Sequence, residues 1–225
     1  MTWIENRNNG IFYIIGRVEG KKKVILKLKS DNKADAEKEH TLWKEENKKL
    51  EEWKTKILPM PEGEFDIIYA DPPWRYDFSK SDNRAIENQY PTMEVLDICK
   101  LKVPSAENSV LFLWGTAPKL LEALEVMKAW GFEYKTNAVW DKRRIGMGYY
   151  FRIQHEHLLI GTKGVPGVPG DKARPDSIFS QAKTQHSAKP GIVYDMIEAA
   201  YPDKRYLELF ARNKREGWAI YGNEI

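Results

Sequence analysis

The chain has 225 residues, 42% of them hydrophobic and 31% charged, with 36 Lys and Arg against 33 Asp and Glu. That composition belongs to one large globular domain or to a domain with a small appendage, and it excludes a largely disordered chain. No apolar run approaches the ~20 residues of a membrane helix, and the single cysteine, Cys99, excludes an internal disulfide or a cysteine zinc cluster. With no charged-then-apolar pattern in Met1-Thr2-Trp3-Ile4-Glu5, a cytosolic protein is the expectation.

In chain order, the β-rich runs Ile11–Ile15 and Val24–Leu28 flank the turn residues Glu19-Gly20-Lys21 and predict a hairpin. Residues 31–56 predict a helix: Asp31 or Asn32 can cap it, and Ala, Glu and Lys dominate. Trp43, Leu50, Trp53 and Ile57 form one apolar stripe on it, the pattern of a helix docked on the main domain. Leu58–Gly63 is a loop. The organisation expected is therefore an appendage over residues 1–60 and a main domain over 61–225.

From Phe65 the rhythm changes to short continuous apolar runs, Phe65–Ala70 and Ser109–Trp114, as in buried strands of a parallel sheet. Ala117–Trp130 predicts a helix with Leu120, Leu121, Leu124, Met127 and Ala129 inward. Strands follow at Glu133–Trp140 and His157–Gly161, a helix at Gly191–Ala200, then strands at Arg205–Phe210 and Gly217–Tyr221. Alternating strands and helices give an α/β fold with a mainly parallel sheet. Two long connections, about 75–108 and 162–188, are of a length often reserved for function.

Charge is balanced overall but not along the chain. Residues 1–30 carry seven basic and two acidic residues, net +5, and residues 141–174 carry seven and three, net +4. Either segment can face phosphate or be an ordinary solvated surface. His155, Glu156 and His157 alternate across a strand, so they point to different faces; a structural role is expected, with no metal.

The sharpest feature is Asp71-Pro72-Pro73-Trp74, directly after the first buried strand. Ligands of α/β sheets bind at the carboxyl ends of strands. Two prolines fix φ near −65° and remove two N–H donors, and Pro72 biases Asp71 towards extended backbone. The expected result is a stiff corner offering a carboxylate and free carbonyls beside the flat face of Trp74. Such acceptors suit the exocyclic amine of a flat base. That nitrogen is a poor nucleophile because its lone pair is delocalised. Acceptors at Asp71 and the Pro72 carbonyl, placed off the base plane, would make it pyramidal and free the pair.

Ile68-Tyr69-Ala70-Asp71-Pro72-Pro73-Trp74 resembles the signature of the MT-A70 family of adenine N6-methyltransferases. In order, Gln89-Tyr90-Pro91-Thr92-Met93, Leu111–Trp114, His186-Ser187-Ala188-Lys189-Pro190, Glu208–Arg212, Gly217-Trp218 and Gly222-Asn223-Glu224 resemble its further motifs, over roughly residues 65–225. The Ala-Arg and Gly-Asn-Glu forms look like the bacterial and phage branch. The resemblance implies a Rossmann-like, S-adenosylmethionine-dependent methyltransferase of permuted motif order, with no Gly-x-Gly-x-x-Gly loop and with S-adenosylhomocysteine as the spent cofactor. It also implies catalysis by Asp71, Pro72, Pro73 and Trp74. Tyr76, Tyr90 and Trp114 would hold the adenine. Asp71, Pro72, Lys189, Glu208, Phe210, Arg212, Asn213, Asn223 and Glu224 would meet the cofactor.

Taken by themselves, several of these residues keep two readings. Lys189 can bind a carboxylate such as a methionine tail or be a surface lysine. Glu208 can bind ribose hydroxyls or an ammonium, or pair with an arginine at the core edge. Asn223 and Glu224 can meet an adenine or form a tail, and Tyr90 and Trp114 can be core aromatics. This chain has Asn213-Lys214-Arg215 where eukaryotic catalytic members have Pro-His-Asn, which weakens the assignment of Asn213.

A duplex hides the adenine amine, so the base must be extruded or single-stranded. Arg84, Lys142, Arg143, Arg144 and Arg152 lie in the loops flanking the pocket in sequence and are expected on phosphate. DNA is the expected substrate, because the chain is short and resembles prokaryotic members. RNA adenosine is the alternative, as is a non-catalytic nucleic-acid-binding partner subunit, although such subunits lose the tetrad that is intact here. A homodimer could use the N-terminal hairpin and helix.

Overall fold

The computed structural model describes the chain except residues 7–9, 19–20, 57, 77–91, 147–149, 183–188 and 223–225. The described residues form two compact units, Met1–Thr55 and the chain from Lys56 onward.

The N-terminal unit is a three-stranded antiparallel sheet in the order β1 (Thr2–Asn6), β2 (Phe12–Val18), β3 (Lys21–Lys27), followed by α1 (Lys33–Lys56). The expected hairpin is thus joined by a further strand. Thr2-Trp3-Ile4-Glu5-Asn6 alternates too weakly for patterning to announce it. Asn32 opens α1 by accepting the Asp35 N–H at 2.9 Å. Ile4, Phe12, Ile14, Leu28, Ala36 and Trp43 make the core of the unit. Of the expected stripe only Trp43 can be placed; the side chains of Leu50 and Trp53, and Ile57, lie outside the described residues.

The second unit is built on a seven-stranded sheet. In chain order its strands are β4 (Phe65–Ala70), β5 (Ser105–Gly115), β6 (Glu133–Asp141), β7 (His155–Lys163), β8 (Ile178–Ser180), β9 (Tyr206–Leu209) and β10 (Trp218–Tyr221). Their spatial order is β10-β9-β4-β5-β7-β6-β8. Four neighbouring pairs are parallel; β7 runs antiparallel to both β5 and β6. The Rossmann-like, mainly parallel α/β reading therefore holds, with one reversed strand that apolar patterning does not reveal.

Alternation along the strands divides the core. The first long connection contains a short α2 (Val95–Cys99), and the second contains β8. Ile67, Tyr69, Val110, Phe112 and Trp114 pack on one face with Val193 and Ile197, which belong to the helix Ile192–Ala200, α4. On α3 (Leu120–Ala129) the buried residues are Ala123, Val126 and Met127. Met127 packs against Gly161 of β7, and Ala123 against Gly115 of β5. This corrects the expected helix face: Leu121 and Ala129 are exposed, because the true stripe is out of phase with the leucines. Elements covering both faces explain why Phe65–Ala70 is apolar without alternation. No helix among the described residues is long and apolar enough to cross a membrane.

Candidate active site

One edge of the sheet collects the polar residues. β4, β5, β6 and β9 end there, and β7, being antiparallel, begins there. Tyr69 is in register with Glu208, and Ala70 with both Leu209 and Leu113. Trp114 lies opposite Leu158, and Trp140 opposite Glu156. Asp71, Trp114, Lys142, Glu156, Glu208 and Phe210 therefore arrive at the same edge from five strands.

The Asp71–Trp74 corner is largely buried rather than solvent-facing. Its carbonyls are not free, as the sequence suggests they should be: Trp74 N–H donates to Pro72 O at 2.8 Å, and Met93 N–H donates to Pro73 O at 2.8 Å. A carbonyl has two lone pairs, so the Pro72 oxygen keeps one for an incoming donor. Trp74 is 4% exposed, and its indole N–H donates to Trp114 O at 3.2 Å. Trp114 is 1% exposed, and its indole N–H donates to the Tyr69 hydroxyl at 2.7 Å. Both indoles are thus packed beneath the edge, which corrects the expectation that Trp74 offers an open flat face beside the corner. Burial is the reason: a stacking wall needs a free ring face, and these have almost none.

Four charges run across the edge in alternation. Lys189 Nζ lies 2.7 Å from Asp71 Oδ1 and 3.3 Å from Glu156 Oε2, and Lys142 Nζ lies 3.2 Å from Glu156 Oε1. All four side chains are mostly buried. Lys189 also stands 5.4 Å from the centre of the Trp114 ring. Burial alone would lower the Lys189 ammonium, but the Asp71 and Glu156 carboxylates outweigh it and hold it above the ordinary lysine value. Burial likewise works against ionised Glu156, and Lys189 and Lys142 overcome it and hold its carboxyl below the usual range. Each buried charge has an opposite neighbour, the condition for tolerating such charges at all. Glu156, for which the sequence predicts a structural role, is the residue of this edge that sequence reasoning misses. The antiparallel start of β7 is what delivers it there. Lys142, expected on phosphate, is turned inward to Glu156; Arg143 and Arg144 are exposed.

Glu208 differs. It is 7% exposed, its Oε1 accepts the Tyr194 hydroxyl at 2.8 Å, and its Oε2 is buried with no partner among the described residues. Burial pushes the carboxyl up to about 7, and the Asp71 charge adds to this, while the Tyr194 bond opposes it. Tyr194 is itself braced by Tyr69, Trp218 and the Arg215 guanidinium. Arg215 pairs with Asp195 and Glu198 instead of reaching the edge.

Phe210 is buried at φ +63°, a conformation that a bulky residue adopts only when its surroundings impose it. Gly222 passes so close to Ala211 that a Cβ would lie 2.3 Å from its carbonyl oxygen. Arg212 is half-buried and Asn213 exposed. The Tyr76 hydroxyl meets Thr116 Oγ1 at 2.6 Å, just past the end of β5. Tyr90, Arg84, Asn223 and Glu224 lie outside the described residues, as do His186, Ser187 and Ala188 of the turn before Lys189.

The carboxyl ends of the strands are where α/β sheets bind nucleotide-like ligands, and here they gather Asp71 and Glu208. A profile of the MT-A70 family matches residues 65–224, and the chain belongs to that family. It is 35% identical over 206 residues to the type II methyltransferase M.MunI of Mycoplasma sp, covering 80% of this chain and 88% of that one. It is 30% identical over 217 residues to an N(6)-adenosine-methyltransferase MT-A70-like protein of Arabidopsis thaliana, covering 92% and 29%. It is also 30% identical over 174 residues to the human N(6)-adenosine-methyltransferase catalytic subunit METTL3, covering 72% and 28%. The chain thus spans most of the bacterial relative and under a third of these two eukaryotic ones.

Proposed function

We propose that the chain transfers a methyl group from S-adenosylmethionine to the N6 amine of adenine in DNA. The observation that carries this is the pair of unlike carboxylates at the ends of adjacent strands, Asp71 in a rigid proline corner and Glu208 with an orphaned buried oxygen.

The residues fit the cofactor. The Glu208 oxygen lacks a donor among the described residues, which ribose hydroxyls or an ammonium would supply. Lys189 is a cation for a carboxylate. The strained Phe210 follows Glu208 closely in the chain, and the backbone of Gly222 runs against Ala211 beside it. Arg212 and Asn213 follow on the same segment, and Asn223 and Glu224 complete the proposed set. When bound, the cofactor supplies a methyl group on a sulfonium. Asp71 accepts a hydrogen of the target amine at Oδ2, because Lys189 engages Oδ1, and the Pro72 carbonyl accepts the other hydrogen. This would hold the nitrogen pyramidal with its lone pair free, and Asp71 Oδ2 would take the proton released as the N–C bond forms and the sulfur–carbon bond breaks to leave S-adenosylhomocysteine. Glu156 keeps Lys189 in place while Asp71 works. Buried preorganised charges are worth most where water is excluded.

DNA is favoured by the extent of the match to the bacterial type II methyltransferase. The names of the eukaryotic relatives support RNA adenosine as the second reading. Incubation with cofactor and matched DNA and RNA strands, followed by nucleoside mass spectrometry, separates them. N6-methyldeoxyadenosine is expected; methylation of the RNA strand alone would move the assignment. Residues 1–60 form an accessory appendage in this reading, residues 61–225 the methyltransferase domain, and the setting is cytosolic. Self-association through the appendage is tested by sedimentation velocity.

A further inference from the structure

The connection between β6 and β7 has no task in the chemistry above beyond its first residue. Residues 142–154 carry four basic residues and no acid. Past the end of the ladder two backbone bonds still tie the arms together: Lys142 N–H donates to Gln154 O at 2.9 Å, and Gly146 N–H donates to Ile153 O at 3.0 Å. A Cβ at Gly146 would stand 2.5 Å from the Ile153 carbonyl oxygen, so the stem is closed by a near-contact of backbones. Asp141 Oδ1 accepts the Arg143 N–H at 2.8 Å and fixes the exit from β6. Beyond this stem Tyr150 is 98% exposed and Phe151 84%; Ile145, within the first arm, is exposed as well. The stem is tied to the chemistry, since Lys142 reaches Asp71 through Glu156 and Lys189.

Two adjacent aromatic rings held almost wholly in water on an arginine-rich stem call for a ligand with both flat apolar faces and negative charge. A second copy of the chain fits poorly, because like-charged hairpins repel. Nucleic acid with unstacked bases offers both features. We propose that this hairpin is the strand clamp of the site: Tyr150 and Phe151 stack on bases beside the extruded adenine, and Arg143 and Arg144 hold the flanking phosphates. The extruded adenine rests on the methylation reading; the clamp itself is tested by binding alone.

The test uses the full chain and fluorescence anisotropy with a random-sequence 30-mer DNA pool, single-stranded and duplex, over a series of salt concentrations. Y150A/F151A should weaken binding about tenfold or more with its salt slope unchanged, since stacking releases no counterions. R143A/R144A should lower the slope of log K against log salt by roughly 1.4 to 1.8. Calorimetric affinity for S-adenosylmethionine should stay at the wild-type value in both, which shows a folded protein. Binding by Y150A/F151A within twofold of wild type would overturn the clamp. So would loss of a dimer in sedimentation with nucleic-acid affinity retained. Intact clamp behaviour without methyl transfer would instead overturn the function proposed above.

Discussion

Asp71 and Glu208 sit at the ends of neighbouring strands and meet opposite fates. Asp71 is matched by Lys189 at 2.7 Å, and Lys189 is matched again by Glu156. Glu208 has a tyrosine on one oxygen and no partner among the described residues on the other, and its carboxyl titrates near neutrality. The charges of the first region are already matched, which suits the proposed role of Asp71 as an acceptor that does not reorganise during reaction. In the proposed reading the second would be completed by a donor from the cofactor. A buried group left unsatisfied costs free energy that a ligand can return.

The comparison breaks most visibly at the shared cation. Lys189→Met leaves Asp71 without its partner and Glu156 with Lys142, in surroundings that are mostly dry. Urea unfolding should show a loss of about 3–5 kcal/mol; a loss under about 1 kcal/mol, the range of an exposed pair, would mean that the alternating charges do not act as one unit. Glu208→Gln removes the orphan acid while keeping its shape. Cofactor affinity by calorimetry should fall about 10- to 100-fold, by the loss of charge-assisted hydrogen bonds, with the midpoint of thermal unfolding unchanged or raised.

The pH response has a definite sign. Glu208 titrates at about 7 when folded, above its unfolded value of about 4.3. The folded chain therefore holds a proton that the unfolded chain has released across that interval. The contribution is full below about pH 4 and is lost as pH rises through 7, on the order of 3–4 kcal/mol. Unfolding of the cofactor-free protein between about pH 5 and 8 should show this decline, and Glu208→Gln should flatten it; an equal slope in both would assign the proton elsewhere. The smallest effect belongs to Tyr194→Phe, which deletes the hydrogen bond on Glu208 Oε1. A stability loss of about 1 kcal/mol is expected, together with a pH midpoint displaced upward, because that bond favours the ionised acid.

Much of the edge is legible in the residues. Apolar runs locate β4 and β9, and the two prolines mark a corner because their geometry is local and independent of context. Pairing is not legible. Glu156 looks like an ordinary alternating strand residue, and only the reversed direction of β7 turns it into the second partner of Lys189. Lys142 reads as a phosphate contact for the same reason, whereas it pairs with Glu156. Trp74 and Trp114 carry the right chemistry for stacking, yet burial is set by long-range packing and makes them floor instead of wall. Leucine content misleads about the phase of α3, because the small Ala123 is what admits the close approach to Gly115.

The central claim is that the Asp71 carboxylate, held in its corner by Lys189, prepares the amine for methyl transfer. Asp71→Asn keeps the shape and removes the charge, and single-turnover transfer of labelled methyl from S-adenosylmethionine to DNA measures the consequence. The rate should fall by about 10²- to 10³-fold, in keeping with the loss of a preorganised acceptor, with cofactor supplied at a concentration that saturates the variant. A rate within about tenfold of wild type, less than one preorganised hydrogen-bonding group is worth, would contradict the account.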